Sequence, residues 1–147
     1  MMDLARVLED VRLDLLPLLE STHAELEVDL GDCSRVRFPT RSLRSVLFNL
    51  LSNAVKYRAP DRAPRVQLRT QCIGQQVMLS VQDNGLGLSE PQQTQLFTMF
   101  RRLHPHVEGS GVGLYLIKRL LESAGGAIAV HSQPGVGSTF TVTLPRA

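Results

Sequence analysis

Two cysteines, Cys33 and Cys72, are all that the 147 residues contain, and they stand far apart in no paired Cys/His pattern. A zinc site and a disulfide framework are therefore not expected, and a reducing, cytosolic setting fits the composition. No apolar run reaches the roughly 18 residues of a membrane span, and residues 1–14 carry too many charges for a signal peptide. An excess of one charge is missing as well. Sixteen basic and 14 acidic residues are spread along the chain and leave a net charge of +2, which indicates neither a nucleic-acid footprint nor an acidic tail. There is no internal repeat and no low-complexity tract. With 43% hydrophobic and 20% charged residues, the length suits one soluble domain spanning 1–147.

The apolar positions Leu4, Val7, Leu8, Val11, Leu15 and Leu18 recur at helical spacing, predicting an amphipathic helix over about 3–20 with a possible bend at Pro17. Residues 25–30 and 35–38 read as short strands around the Gly31-Asp32 turn. A second helix is expected from Thr40, as its N-cap, to about Tyr57, with an apolar face at Leu43, Val46, Leu47, Leu50, Leu51 and Ala54. Residues 66–72 and 77–82 alternate like the strands of a hairpin. A long stretch rich in Gly, Ser and Pro follows from Asp83 to Gly113, holding a short helical patch over 96–102. Loops of that length in a compact domain are commonly functional lids or disordered. A third helix over 114–123, ended by Gly125-Gly126, precedes two closing strands at 127–131 and 139–144 around Gln133-Pro134-Gly135. That order predicts a two-layer α/β sandwich.

Asn49, Asn53 and Lys56 fall within about 60° of one another on the second helix, away from its apolar stripe. Three glycine-rich elements follow in order. Asp83-Asn84-Gly85-Leu86-Gly87 is by itself compatible with a simple reverse turn. Gly109-Ser110-Gly111-Val112-Gly113-Leu114 precedes a helix, where backbone N–H groups and the positive dipole end favour a polyphosphate. Gly135-Val136-Gly137-Ser138-Thr139-Phe140 alone is compatible with a hairpin turn. The middle element lacks the spacing of the dinucleotide fingerprint and the Gly-Lys-Ser/Thr of a P-loop, so both common nucleotide folds are disfavoured.

Taken together, Asn49-Leu50-Leu51-Ser52-Asn53-Ala54-Val55-Lys56-Tyr57, DNGLGL, Leu96-Phe97-Thr98-Met99-Phe100, GSGVGL and GVGSTF resemble the ordered N, first glycine, F, second glycine and third glycine boxes of histidine kinase catalytic domains. The resemblance covers essentially the whole chain. It implies the fold shared with DNA gyrase, mismatch-repair and heat-shock chaperone ATPases: a mixed, mostly antiparallel sheet under three main helices, with a long ATP lid at about 88–110. It implies ATP and Mg²⁺ as ligands, with Asn53 on the metal, Asn49 supporting the metal and phosphates, and Lys56 on phosphate oxygens; these three form the catalytic set. It further implies that Tyr57 packs on adenine, Asp83 accepts a hydrogen bond from the adenine amino group, and Gly85 and Gly87 let the chain pass close to the base. By the same resemblance Leu88, Phe100, Arg101, Gly109, Ser110, Gly111, Val112, Gly113 and Leu114 belong to the nucleotide-binding set, with Gly109, Gly111 and Gly113 at the phosphate-cradling lid hinge, and Thr139 supports the adenine pocket. Among Arg101, Arg102 and His104 the motifs do not choose a phosphate contact, and a solvated patch or docking surface remains the alternative.

Gyrase-like relatives carry a water-activating glutamate where this chain has Asn49, and an amide cannot act as a base. The resemblance therefore implies transfer of the γ-phosphoryl group to a histidine rather than hydrolysis. None of His23, His104, His106 and His131 sits in the phosphoacceptor pattern, so the acceptor is expected on a separate dimerisation hairpin, with a response regulator served indirectly. No nucleic-acid or membrane contact is expected from this chain, and a cytoplasmic location is. The alternative is an ATP-binding interaction module, either a degenerate kinase domain or an anti-sigma-like serine kinase. Arg58-Ala59-Pro60-Asp61-Arg62 departs from the family pattern after Tyr57, a charged turn near the nucleotide edge for which tuning of affinity and contact with a partner domain are the two open readings.

Overall fold

The computed structural model describes residues 2–96 and 113–147. In chain order the elements are β1 (Met2–Asp3), α1 (Leu4–Thr22), β2 (Glu25–Asp29), β3 (Arg35–Val36), α2 (Thr40–Lys56), β4 (Arg65–Ile73), β5 (Gln76–Asp83), α3 (Glu90–Gln95), α4 (Gly113–Ser123), β6 (Ala127–Gln133) and β7 (Gly137–Pro145). Five strands form one sheet in the order β2-β4-β5-β7-β6, and β1 pairs with β3 in a separate two-stranded piece. β2 and β4 run parallel; every other pairing in the large sheet is antiparallel. The sheet is thus mixed and mostly antiparallel, as expected.

The helices form the second layer, with α2 central: it packs on α1 to one side, on α4 to the other, and on β4 and β5 beneath. The helical spacing of α2 puts Leu43, Val46, Leu47, Leu50, Leu51 and Ala54 into the core, all buried. α1 buries Leu4, Val7, Leu8, Val11, Leu15 and Leu19, and α4 contributes Ile117 and Leu121. From below, β4, β5 and β7 turn in Val66, Leu68, Val77, Leu79, Val81, Val142 and Leu144 at every second position. Each fully buried Leu or Val side chain contributes about 1.5–3 kcal/mol relative to exposure.

Besides the shift of the last buried position of α1 from Leu18 to Leu19, three details differ from the sequence reading. Pro39, not Thr40, occupies the N-cap position of α2, and no side chain caps that end; the fixed φ of proline, here −59°, sets the turn into the helix instead. α3 forms over residues 90–95, earlier than the predicted patch. Ser89 caps it, with a reciprocal bond from the Ser89 backbone N–H to the Gln92 side chain at 2.9 Å and Pro91 in the first turn. The remainder of the predicted patch, 97–102, lies outside the described residues.

The third difference concerns the cysteines: Cys33 and Cys72 are joined in a disulfide, with Cα atoms 5.6 Å apart. Parallel pairing accounts for it. β2 and β4 match at an offset of 40 residues, Glu25 to Arg65 through Asp29 to Arg69, and Thr70 Oγ1 continues the alignment by donating to the Leu30 carbonyl at 2.6 Å. Cys33 and Cys72, 39 residues apart, lie where that alignment leads.

Candidate functional site

The C-terminal end of α2, the β5 exit and the β6–β7 turn meet at one end of the sheet. The Leu86 N–H donates to the Tyr57 carbonyl at 2.9 Å, and the Gly135 N–H donates to the Leu86 carbonyl at 2.8 Å. These two bonds stitch together the N box, first glycine and third glycine segments, which are separated by tens of residues in the chain.

The approach is so close that side chains are excluded. A Cβ on Gly85 would lie 2.5 Å from the Tyr57 carbonyl oxygen, one on Gly87 would meet the Gln133 carbonyl, and one on Gly137 the Asp83 carbonyl. Gly87 and Gly137 also have positive φ, 73° and 145°.

Asp83, the last residue of β5, points its carboxylate into this junction. Its Oδ1 accepts the Gly85 N–H at 2.9 Å and the Ser138 N–H at 3.2 Å. Burial pushes its carboxyl from 3.8 up to about 6, and the two backbone donors pull the other way. Both donors act on Oδ1, so Oδ2 is the oxygen left to take a donor from outside. Ser138 was not foreseen; Thr139, the residue expected to support the pocket, lies one position on in β7, opposite Gln82 and His131.

Arg62 is a further residue that the sequence did not reveal. Its Nε donates to the Asn84 carbonyl at 2.6 Å, and its Nη2 to the carbonyls of Gly85 at 3.0 Å and Gly135 at 2.9 Å. The Asn84 amide reciprocates: Nδ2 donates to the Ala63 carbonyl at 3.1 Å, and Oδ1 accepts the Arg65 N–H at 2.9 Å. The charged turn after Tyr57 is thereby bound to the first and third glycine segments. Nothing local to residues 58–62 signals this, since the acceptors lie 22 to 73 residues away.

On α2, Asn49 spends its Nδ2 on the Ser45 carbonyl at 2.8 Å, leaving its oxygen as the group able to act beyond the helix. Asn53 is half-buried and Lys56 exposed. No group of three or more His, Cys, Asp or Glu capable of holding a metal occurs among the described residues. The segment after Gly87 is anchored: the Leu88 N–H donates to Ser132 Oγ at 2.7 Å, and Gln93 Nε2 donates to the carbonyls of Leu88 and Ser132, each at 3.0 Å. Leu88 and Leu96 are buried. Gly113 and Leu114 open α4. Phe100, Arg101, Arg102, His104, Gly109, Ser110, Gly111 and Val112 lie outside the described residues.

The site is thus a junction of glycine turns around a buried carboxylate, at the C-terminal end of a helix that carries Asn49 and Asn53. Comparison with known proteins assigns it: the chain belongs to the family of histidine kinase-, DNA gyrase B- and HSP90-like ATPases, whose model matches residues 39–147. It is 41% identical over 129 residues to the circadian input-output histidine kinase CikA of Synechococcus elongatus, covering 83% of this chain and 17% of the relative. It is 34% identical over 144 residues to the alginate biosynthesis sensor protein KinB of Pseudomonas aeruginosa, covering 97% and 24%. The chain therefore spans a quarter or less of the length of these relatives. Among solved structures, full-length ShkA in complex with AMPPNP aligns with a TM-score of 0.85 at 27% identity, over 99% of this chain and 30% of that one. The mycobacterial sensor histidine kinase MprB aligns at 0.80 and 26%, over 99% and 95%.

Proposed function

We propose that this chain is the ATP-binding catalytic module of a sensor histidine kinase, with a lid at about 88–110, and that it passes the γ-phosphoryl group to a histidine on a separate dimerisation hairpin. The observation that carries the reading is Asp83. A carboxylate held on one oxygen by two backbone N–H groups, behind glycines that keep side chains away, suits the exocyclic amino group of adenine and repels the carbonyl that guanine presents there. Tyr57, at the C-terminal end of α2, stands beside this junction and would pack on the base.

The phosphate side follows from α2. Asn53 would hold Mg²⁺ through its amide oxygen, a hard ligand that leaves most of the coordination sphere to phosphates and water. The want of a carboxylate cluster among the described residues fits a metal that arrives with the nucleotide. Asn49 would support the same ion and the phosphates, and Lys56 would meet the phosphate oxygens. When bound, the ion neutralises charge on the phosphoryl group being transferred. Asn49, with its nitrogen already committed to Ser45, offers no base to activate water, which favours an external acceptor over hydrolysis. Arg101 and Phe100 of the lid, with Gly109, Ser110, Gly111 and Val112, would complete the phosphate enclosure ahead of Gly113 and Leu114.

The partner is then a histidine-bearing helical hairpin of a longer sensor kinase, with a response regulator downstream; a cytoplasmic location follows from that signalling role and not from cysteine usage, since Cys33 and Cys72 are paired. No described helix is long and apolar enough to cross a membrane. The test is transfer in trans: the chain, γ-labelled ATP and an added dimerisation hairpin should yield label on histidine, and Asn53→Ala should reduce it about a hundredfold or more. Label released as free phosphate would mark a hydrolase. Mg-independent binding without transfer would mark an interaction module.

A further inference from the structure

Asp83 can be oriented no better than the two peptide groups that hold it, and those groups are themselves held. The Ser138 N–H belongs to the Gly137–Ser138 peptide, whose carbonyl accepts Ser132 Oγ at 3.0 Å. The Gly85 N–H belongs to the Asn84–Gly85 peptide, whose carbonyl accepts Arg62 Nε at 2.6 Å. The next peptide repeats the pattern: the Gly85 carbonyl accepts Arg62 Nη2 at 3.0 Å while the Leu86 N–H donates to Tyr57 at 2.9 Å. Two successive peptides thus face the junction with their N–H groups and are gripped from behind by one guanidinium. The third acceptor, the Gly135 carbonyl at 2.9 Å, belongs to the segment that closes the other side.

A guanidinium is suited to this task. It is planar, permanently charged, and presents donors in a fixed fork, whereas a lysine ammonium is a single point of charge. Without it, carbonyl oxygens of Asn84, Gly85 and Gly135 would converge with no donor between them, and the glycine at 85 would leave its flanking peptides free to rotate. The side chain is about one third exposed (32%), so the grip is partly shielded from water. Two further pairings are a longer one from Nη2 to the Val136 carbonyl at 3.5 Å and one from Nη1 to the exposed Asp61 at 3.2 Å, the latter within the same turn.

We propose that Arg62 is a positioning residue for adenine recognition: it fixes the Asn84–Gly85 and Gly85–Leu86 peptides so that the Asp83 carboxylate and the Tyr57 segment meet the base in one geometry. This rests on the reading of Asp83 as the adenine contact. Arg62 touches neither base nor phosphate in this account. Its effect therefore falls on base discrimination, which a residue that merely holds the fold together would leave alone.

The experiment measures affinities for non-hydrolysable ATP and GTP analogues, below the melting temperature of each protein, for wild type, Asp83→Ala, Arg62→Gln, Arg62→Lys and Arg65→Gln. Arg65 is an exposed control that carries the same charge and pairs with Glu25 at 3.3 Å. Arg62→Gln should weaken the ATP analogue about tenfold and move the ATP-to-GTP ratio towards that of Asp83→Ala. Arg62→Lys should fall between, and Arg65→Gln should match wild type. If wild type prefers ATP, Asp83→Ala loses the preference and folded Arg62→Gln keeps it, the role of Arg62 is overturned while the adenine reading stands. If wild type shows no preference, or Asp83→Ala retains it, the adenine reading fails and this inference with it. Should Arg62→Gln not fold, Arg62→Lys decides on the same ratio: a reduced ratio supports the role, and a wild-type ratio overturns it.

Discussion

Six glycines among the described residues fall into two groups with different work to do. Gly31, Gly74 and Gly125, in turns away from the junction, have φ of 52°, 60° and 81°, and a Cβ on any of them would meet nothing within 4 Å. Gly85 is the opposite: its φ is not positive, yet a Cβ would lie 2.5 Å from a backbone oxygen. Gly87 and Gly137 combine both conditions. The first group lets the chain turn, and the second lets three segments approach closely enough to share backbone hydrogen bonds around Asp83. Sequence spacing cannot separate the two kinds; only the neighbour across the gap does.

Substitutions can test that distinction. Gly85→Ala should have the largest effect, because alanine accepts the backbone conformation but not the space. Forcing Tyr57 and Leu86 apart should reduce ATP-analogue affinity about a hundredfold, the equivalent of roughly 3 kcal/mol of overpacking. Affinity within threefold of wild type would show that the close approach is not needed.

Asp83→Ala comes next, with a loss of about ten- to a hundredfold confined to adenine nucleotides, as expected for a charge-assisted hydrogen bond of ~1.5–3 kcal/mol. The same carboxyl predicts two pH trends of opposite sign. Its folded value of about 6 lies above the unfolded value near 3.8, so the nucleotide-free domain gains stability as pH falls through that window and loses it as pH rises through about 6. ATP affinity should move the other way and drop up to about tenfold between pH 7 and 5, since binding uses the ionised form. Melting curves and titrations of wild type and Asp83→Ala at both pH values check this. Asp83→Ala should lose the part of each trend that this carboxyl supplies.

The smallest effect is expected of Gly74→Ala at the β4–β5 turn. Its positive φ should cost about 1–2 kcal/mol of stability, with nucleotide affinity unchanged. A binding defect there would mean that the two ends of the sheet are coupled.

Much of this was legible beforehand where the signal is local and periodic. The buried stripes of α1 and α2, the β4–β5 hairpin and the closing β6–β7 hairpin follow from alternation and helical spacing. α3 was missed because six residues with no buried apolar side chain carry no periodicity, although Ser89 and Gln92 at capping-box spacing were a readable sign. Arg62, Ser138 and the Cys33–Cys72 pairing were not readable for a different reason. Each depends on which strand lies beside which, the β2–β4 offset for the cysteines and the β5–β7 register for Ser138, and no local pattern encodes that. The ordered motifs group Asp83 with the α2 amides as an expectation, and the structure brings the Tyr57 end of α2, the β5 exit and the β6–β7 turn together around Asp83.

The most direct test of the central claim is calorimetric titration of the domain with non-hydrolysable ATP and GTP analogues, with and without Mg²⁺. The account predicts adenine-selective binding that Mg²⁺ strengthens. Equal affinity for the two bases, or no binding at all, would contradict it.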